Sequence, residues 1–360
     1  MRIVTFAALA ALILGLSSAQ ATSSRPWCEA ARSQAWRTAL ARSVVPLSRR
    51  VSLVAVGAPR DGHRFFAELY SKTFSGIAEV DTRTGRYRPI HRFAHPARDQ
   101  AVGSFGGRWL VWQELHTFDL APRDFDLWAY DTRTRAVRRI GASAPDLWPS
   151  PGWRAPDVRG GYAVWAQGSG PDGLADVHVY DLAAGKDRVV RHGHAQNPFL
   201  ISGHRVAWPE SASPGALTRI RVGGAATGAA LPVPVALRPL RGVYAPATDG
   251  NAIAYSASRD RTLWWSPSLR RAPRRVFRTR GVETVDNSLQ ISGRYVFFGV
   301  QPRSYVADAS TGRYVSIGAG WSRMSSVGLV VQRPSAGKAS HAIADVDFLR
   351  RASFPPVPRC

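Results

Sequence analysis

One pattern recurs along this chain. "GIAEVDTRTGRYRPI" runs from Gly76 to Ile90, "DLWAYDTRTRAVRRI" from Asp126 to Ile140 and "DVHVYDLAAGKDRVV" from Asp176 to Val190. Weaker copies begin at Thr218, Thr262, Ser304 and Ala342, so seven copies follow one another at intervals of roughly 40–50 residues. Each reads as a strand, an Asp, a turn and a second, basic strand. A second unit alternates with it: "GGRWLVWQE" from Gly106, "GGYAVWAQ" from Gly160, "SGHRVAWPE" from Ser202, "DGNAIAYSA" from Asp249 and "SGRYVFFGV" from Ser292. In each, a turn precedes the period-2 alternation of a half-buried strand. One such sheet leaves its faces open to water, and stacking successive copies around an axis buries them. The expected fold is all-β, a seven-bladed β-propeller. Six blades is the alternative, if the copy from Ala342 is only a closing strand.

Asp81, Asp131, Asp181 and Asp308 fall at the same place in their copies, where a blade's third strand turns into its fourth. An Asp there bonds the backbone of its own turn, and a following Gly supplies positive φ, so these acids are expected to be structural. The segment "APDVRGGYAVWAQGSGPDGLADVHVYDLAAGKDRVV", Ala155 to Val190, resembles the TolB-like propeller repeat. The resemblance covers roughly residues 50 to 354. It implies a scaffold used for binding proteins or envelope polymers and supplies no catalytic residue.

The opening "MRIVTFAALAALILGLSSAQA" reads as a signal peptide, residues 1–21, ending in the small-x-small run Ala19-Gln20-Ala21. Its apolar core is too short to span a bilayer, and no later segment is long enough. A secreted or otherwise extracytoplasmic protein is expected, with residues 22–46 an N-terminal helix and linker and 47–360 the propeller. In an oxidising compartment the remaining cysteines, Cys28 and Cys360, pair most simply with each other. Ser24 and Pro26 fit a helix start and Pro46 a stop, so one helix carrying Cys28 is expected to run to Ala41, docked by Trp27 and Trp36.

With 48 basic against 25 acidic residues the net charge is +23. Such a field attracts polyanions, and export turns attention from nucleic acid to an anionic cell-envelope polymer or a secreted protein partner. The run "SLRRAPRRVFRTR" carries Arg270, Arg271, Arg274, Arg275, Arg278 and Arg280 beside Trp264 and Trp265, either a polyanion patch or a charge-protected edge strand.

In a propeller the connections from the fourth strand of one blade to the first of the next share a face with the loops between second and third strands. The segments expected there hold Trp148, Trp153, Tyr244, Trp321, His91, His95, Asn197, Asn287 and Arg323, with His192 and His194 in "RHGHAQNP". Aromatic rings beside hydrogen-bonding groups suit a sugar or a peptide. His192 and His194 lie two apart on one side of an extended segment, yet no third metal ligand stands near them in the sequence. No metal and no cofactor are expected. "GSGPDG" from Gly168 joins two strands, without the helix that a dinucleotide fingerprint needs. A non-enzymatic binding propeller is the favoured reading. The alternative is a polysaccharide lyase or hydrolase on the same rim, with Asp146, Asp157, His192 and His194 as first candidates.

Overall fold

The alternating segments become small antiparallel sheets in the computed structural model, which describes residues 28–48, 51–57, 60–96, 98–116, 124–143, 155–168, 175–195, 197–210, 219–239, 246–257, 262–278, 289–300, 303–318, 320–334 and 343–360. Blade 1 consists of Ser52–Ala55, Arg64–Tyr70, Ser75–Asp81 and Tyr87–Arg92, hydrogen-bonded in that order. Blade 2 repeats the order with Gln100–Gly106, Trp109–Leu115, Phe125–Asp131 and Val137–Ala142. Blade 3 contains Asp157–Arg159, Tyr162–Gly168, Ala175–Asp181 and Lys186–Ala195. Blade 4 has three strands, Phe199–Ser202, Arg205–Glu210 and Arg219–Gly224, and a single bridge from Gly223 to Ala230. Blade 5 runs from Ala247 to Arg278 and blade 6 from Gln290 to Gly318, four strands each. Trp321–Met324, Gly328–Pro334 and Ile343–Arg350 form blade 7, so the copy from Ala342 is a genuine third strand and the propeller has seven blades.

The outer edge of blade 7 is closed by residues from the other end of the chain. Val45 donates its N–H to Val346 (2.8 Å), Phe348 donates to Ser43 (2.7 Å), and Val44 bridges Asp347. Cys28 and Cys360 form a disulfide, with Cα atoms 6.2 Å apart.

The N-terminal helix is shorter than expected and does not carry Cys28. It spans Gln34–Ala41 and is capped by Ser33, whose hydroxyl accepts the Trp36 N–H at 3.3 Å. Cys28–Ala30 is instead a strand, parallel to Arg313–Gly318 on the outer edge of blade 6. That edge offers unpaired backbone groups, and three more residues of strand satisfy them better than helix would. Trp36 docks as anticipated: it is fully buried, its indole N–H donates to the Pro356 carbonyl at 3.1 Å, and its ring lies 6.1 Å from Phe354. Trp27 and the leader lie outside the described residues.

The recurrent aspartates behave as structural groups. Asp81 accepts from Arg83 and Thr84 (2.9 and 3.0 Å), Asp131 from Arg133 (2.9 Å), Asp181 from Ala183 and Ala184 (2.9 and 2.8 Å) and Asp308 from Ser310 (3.0 Å). The turn then needs a left-handed residue. Gly85, Gly185, Gly228 and Gly312 supply it with φ between 65° and 73°, but blade 2 uses Arg135 at φ 62°. A side chain in that conformation costs about 1–2 kcal/mol relative to glycine.

Neighbouring blades touch closely where the first and second strands turn. A Cβ on Gly160 in blade 3 would meet Gly203 Cα of blade 4 at 2.2 Å. Gly160→Ala is expected to cost at least about 2 kcal/mol in urea unfolding, because backbone has to move on both blades. Cys360→Ser is expected to lower stability by about 2–5 kcal/mol without changing the far-ultraviolet circular dichroism. A loss below about 1 kcal/mol would mean that the backbone bonds of Ser43 and Val45 close the ring alone.

Candidate functional site

The seam between blades 1 and 2 is built by period-2 alternation. Leu110, Trp112 and Glu114 lie on one face of the second strand of blade 2, opposite Tyr130, Trp128 and Asp126 on the third. Both rows therefore end in an acid at the face where the fourth-to-first connections lie. Blade 1 answers with Phe66, Glu68 and Tyr70 on its second strand, with Ile77 and His91 abreast of Glu68. Phe66, Ile77, Leu110, Trp112 and Tyr130 form a buried cluster in the middle of the seam.

Above that cluster the acids and histidines converge. Phe93 is buried, and the connection folds back at once: Arg98 and Asp99 both donate N–H to the His95 carbonyl at 2.9 Å. The Asp99 carboxylate returns the favour, accepting the His95 N–H at 2.7 Å. Only 1% of Asp99 is exposed. Its other oxygen lies 3.0 Å from His116 Nδ1 and 3.8 Å from His95 Nδ1. His116 Nε2 faces Asp126 at 3.6 Å, and Arg139 holds Asp126 at 2.5 Å. Alongside, His91 Nε2 meets the buried Glu114 at 2.8 Å, its ring 4.4 Å from Trp128.

Two groups are shifted up from their ordinary values. Burial pushes the Glu68 carboxyl up to about 7, assisted by the charge of Glu114 and opposed by hydrogen bonds from Tyr70 and the Ala101 N–H. Tyr70 also reaches the Asp99 carbonyl at 2.8 Å, and it has one proton to donate. That proton goes either to Glu68 or to the Asp99 carbonyl, so Tyr70 links the two. Burial alone would lower His116. The hydrogen bond and charge of Asp99, with Asp124 and Glu114, outweigh it and hold the imidazole above its usual value.

His95, Asp99 and His116 can also hold a metal. Their donor atoms lie within 4.8 Å of one another. A tetrahedral ion with bonds of about 2.0–2.2 Å separates its ligands by about 3.4 Å, close to the 3.0 and 3.8 Å found here. Two imidazoles and one carboxylate suit a divalent transition ion with an open position, and Asp126 is placed to orient His116 from its far nitrogen.

Of the residues expected on this rim, the structure brings His91 and His95 into the cluster. His192 is 80% exposed and pairs with Asp176 at 3.2 Å on blade 3; the His194 side chain lies outside the described residues. Asp157 accepts the Leu200 N–H at 2.7 Å, which latches blade 3 to blade 4. Asn197 takes a left-handed backbone, φ 40°. Arg323 sits half-buried on the innermost strand of blade 7, where burial lowers its guanidinium. Asp146, Trp148, Trp153, Tyr244, Arg280, Asn287 and the side chains of Arg278 and Trp321 lie outside the described residues. Arg270, Arg271, Arg274 and Arg275 are exposed. Trp265 and Trp264 pack into separate clusters on the two sides of blade 5, and the Arg274 guanidinium lies 5.0 Å over the Trp265 ring. The sequence reading did not assemble Glu68, Asp99, Glu114, His116 and Asp126.

No family model matches the chain, and no curated protein matches it. Solved structures do resemble it. The oligogalacturonate lyase from Vibrio parahaemolyticus is 9% identical over 83% of this chain and 92% of its own, with a TM-score of 0.52. The β-propeller domain of the Trilobed protease from Pyrococcus furiosus is 11% identical over 81% and 93%, TM-score 0.53. TolB from Acinetobacter baumannii is 11% identical over 78% and 66%, TM-score 0.46. At such identities the likeness is one of fold.

Glu68 makes stability depend on pH. Its folded value, about 7, exceeds the ordinary 4.5. Its contribution is therefore complete below pH 4.5 and is lost as pH rises through 7. The loss is on the order of 3 kcal/mol. Denaturant titrations between about pH 5 and 8 should show this fall in the native protein and a flatter profile in Glu68→Gln.

Proposed function

We propose that the protein is an exported binding propeller that engages an anionic, carboxylate-bearing envelope polymer at the blade 1–blade 2 cluster through a divalent cation. The observation that carries this reading is the convergence of His95, Asp99 and His116 on one face. Export is supported by the apolar leader and by the Cys28–Cys360 bond. Long-range attraction comes from the +23 charge. Locally the cluster carries the carboxylates of Asp99, Glu114 and Asp126 and would repel a carboxylate unless a cation stood between. Binding of the polymer should therefore be cation-dependent.

The test is calorimetric titration of the oxidised protein with Zn²⁺ or Mn²⁺, then with polygalacturonate, at a salt concentration that screens the general field. His116→Ala and His95→Ala are each expected to weaken cation binding at least about tenfold and to remove the polymer binding that depends on it. Polymer binding that survives a chelator would overturn the reading.

A second reading keeps the same face but makes it catalytic, a polysaccharide lyase or hydrolase. What favours it is a carboxyl near neutrality, Glu68, hydrogen-bonded through Tyr70 towards Asp99, since an acid tuned to the working pH transfers protons efficiently. Release of unsaturated uronate products from polygalacturonate would replace binding by catalysis. Glu68→Gln would then abolish turnover and leave cation binding intact.

A further inference from the structure

The opposite end of the same seam is basic. A groove of about 390 Å³ opens there between the turns of blades 1 and 2, lined by Arg60, Arg64, Arg86, Arg88 and Arg135. Two acids, Glu79 and Asp81, share the lining. Both are committed. Glu79 takes Arg60 at 2.5 Å and Arg88 at 2.8 Å, and its carboxyl is held below the usual value: burial would raise it, but the hydrogen bonds and charges of the two arginines prevail. Asp81 accepts the N–H groups of its own turn.

The remaining cations face the groove unspent. Arg64 has only a loose contact with Asp61 at 4.0 Å, both groups being exposed. Arg86 and Arg135 make no ion pair among the described residues. Five guanidiniums against two carboxylates leave an excess of three positive charges around one opening. Arg88 is aimed by the Tyr130 hydroxyl at 2.7 Å as well as by Glu79, so part of the lining is preset.

Backbone strain points to the same place independently. Four equivalent turns elsewhere in the ring place glycine where blade 2 has Arg135, and the same N–H bond closes all five: Arg135 to Asp131 at 2.7 Å, Gly85 to Asp81 at 2.9 Å, Gly185 to Asp181 at 2.8 Å, Gly228 to Gly224 at 2.7 Å and Gly312 to Asp308 at 3.1 Å. Nothing in the turn requires a side chain, and the left-handed backbone penalises one. Strain kept in a charged groove is strain put to use.

We infer that this groove is a phosphate-ester site, with Arg135 and Arg86 as its principal ligands and Arg64 at its edge. The guanidinium fork matches phosphate oxygens in pairs. A dianionic phosphate monoester neutralises most of the excess, which a single carboxylate does not. The site lies at the far end of the seam from His95, Asp99 and His116, so it neither needs nor tests the cation-dependent reading.

Arg135→Gly separates ligand from fold, because it restores the residue that the turn prefers. The variant is expected to melt about 2 °C higher and to bind inorganic phosphate and glucose 6-phosphate at least about tenfold more weakly, measured by calorimetry at about 0.15 M salt. Arg86→Ala should lose affinity similarly. Arg83→Ala and Arg133→Ala remove the same charge from exposed positions of the same two turns, outside the groove lining, and should leave phosphate affinity within about twofold. A poly(glycerol phosphate) chain identifies the source. If it binds more tightly than the monoester, the phosphate belongs to a polymer; if less, to a soluble ligand; either ranking upholds the site. The inference is overturned if the native protein does not bind phosphate at that salt, if Arg135→Gly binds as well as the native protein, or if the Arg83 and Arg133 variants lose as much.

Discussion

Everything in this molecule depends on closing a ring of sheets. Each blade buries its faces only against its neighbours, so the first and last blades need one another as much as any adjacent pair does. Two bonds of different kinds close the circle. Residues Ser43 to Val45 complete blade 7 by backbone hydrogen bonds to Val346 and Phe348, and the Cys28–Cys360 disulfide ties the N-terminal segment to the chain's last residue. Between them Trp36 is sealed under Phe354 and Pro356. The N-terminal segment is thus three devices in succession, a strand on blade 6, a helix and a β-bridge to blade 7.

A closed ring makes each seam a slot with two ends, and the slot between blades 1 and 2 has ends of opposite character. Its middle is apolar and aromatic, with Phe66, Leu110, Trp112 and Tyr130 excluding water. One end holds buried carboxylates and histidines, the other arginines. The dry middle keeps the two apart. It also explains why Glu68 is pushed towards neutrality: the carboxyl lies at the edge of that apolar region, where its charge is poorly solvated.

Much of this was legible residue by residue. The Asp that closes each third strand, the Gly that follows and the alternation of strands such as "WLVWQEL" are local signals, and local geometry is all they require. The rim bearing His91 and His95 followed from counting strands. Other features escaped because no local rule reaches them. Local signals favour a helix at Cys28, because the unpaired edge of blade 6 that draws Cys28–Ala30 into a strand, Arg313 to Val315, lies near the other end of the chain. Asp99 and His116 stand at opposite ends of two strands, and only their antiparallel pairing brings both ends to one place. Arg135 showed itself as a departure from the turn pattern, but its strain has meaning only beside the groove.

The amino-acid sequence by itself determined the architecture: seven repeats of period-2 strands with turn-specific Asp and Gly admit few arrangements other than a ring of sheets. Tertiary structure decided which side chains meet. Glu68 belongs to blade 1, Glu114 and His116 to blade 2, and Asp99 to the connection between them, and they come together because stacked blades bring their facing rows together. Strand periodicity states which face a residue takes. It does not state which residue of the next blade lies across the seam, and that registration arises only when the ring closes.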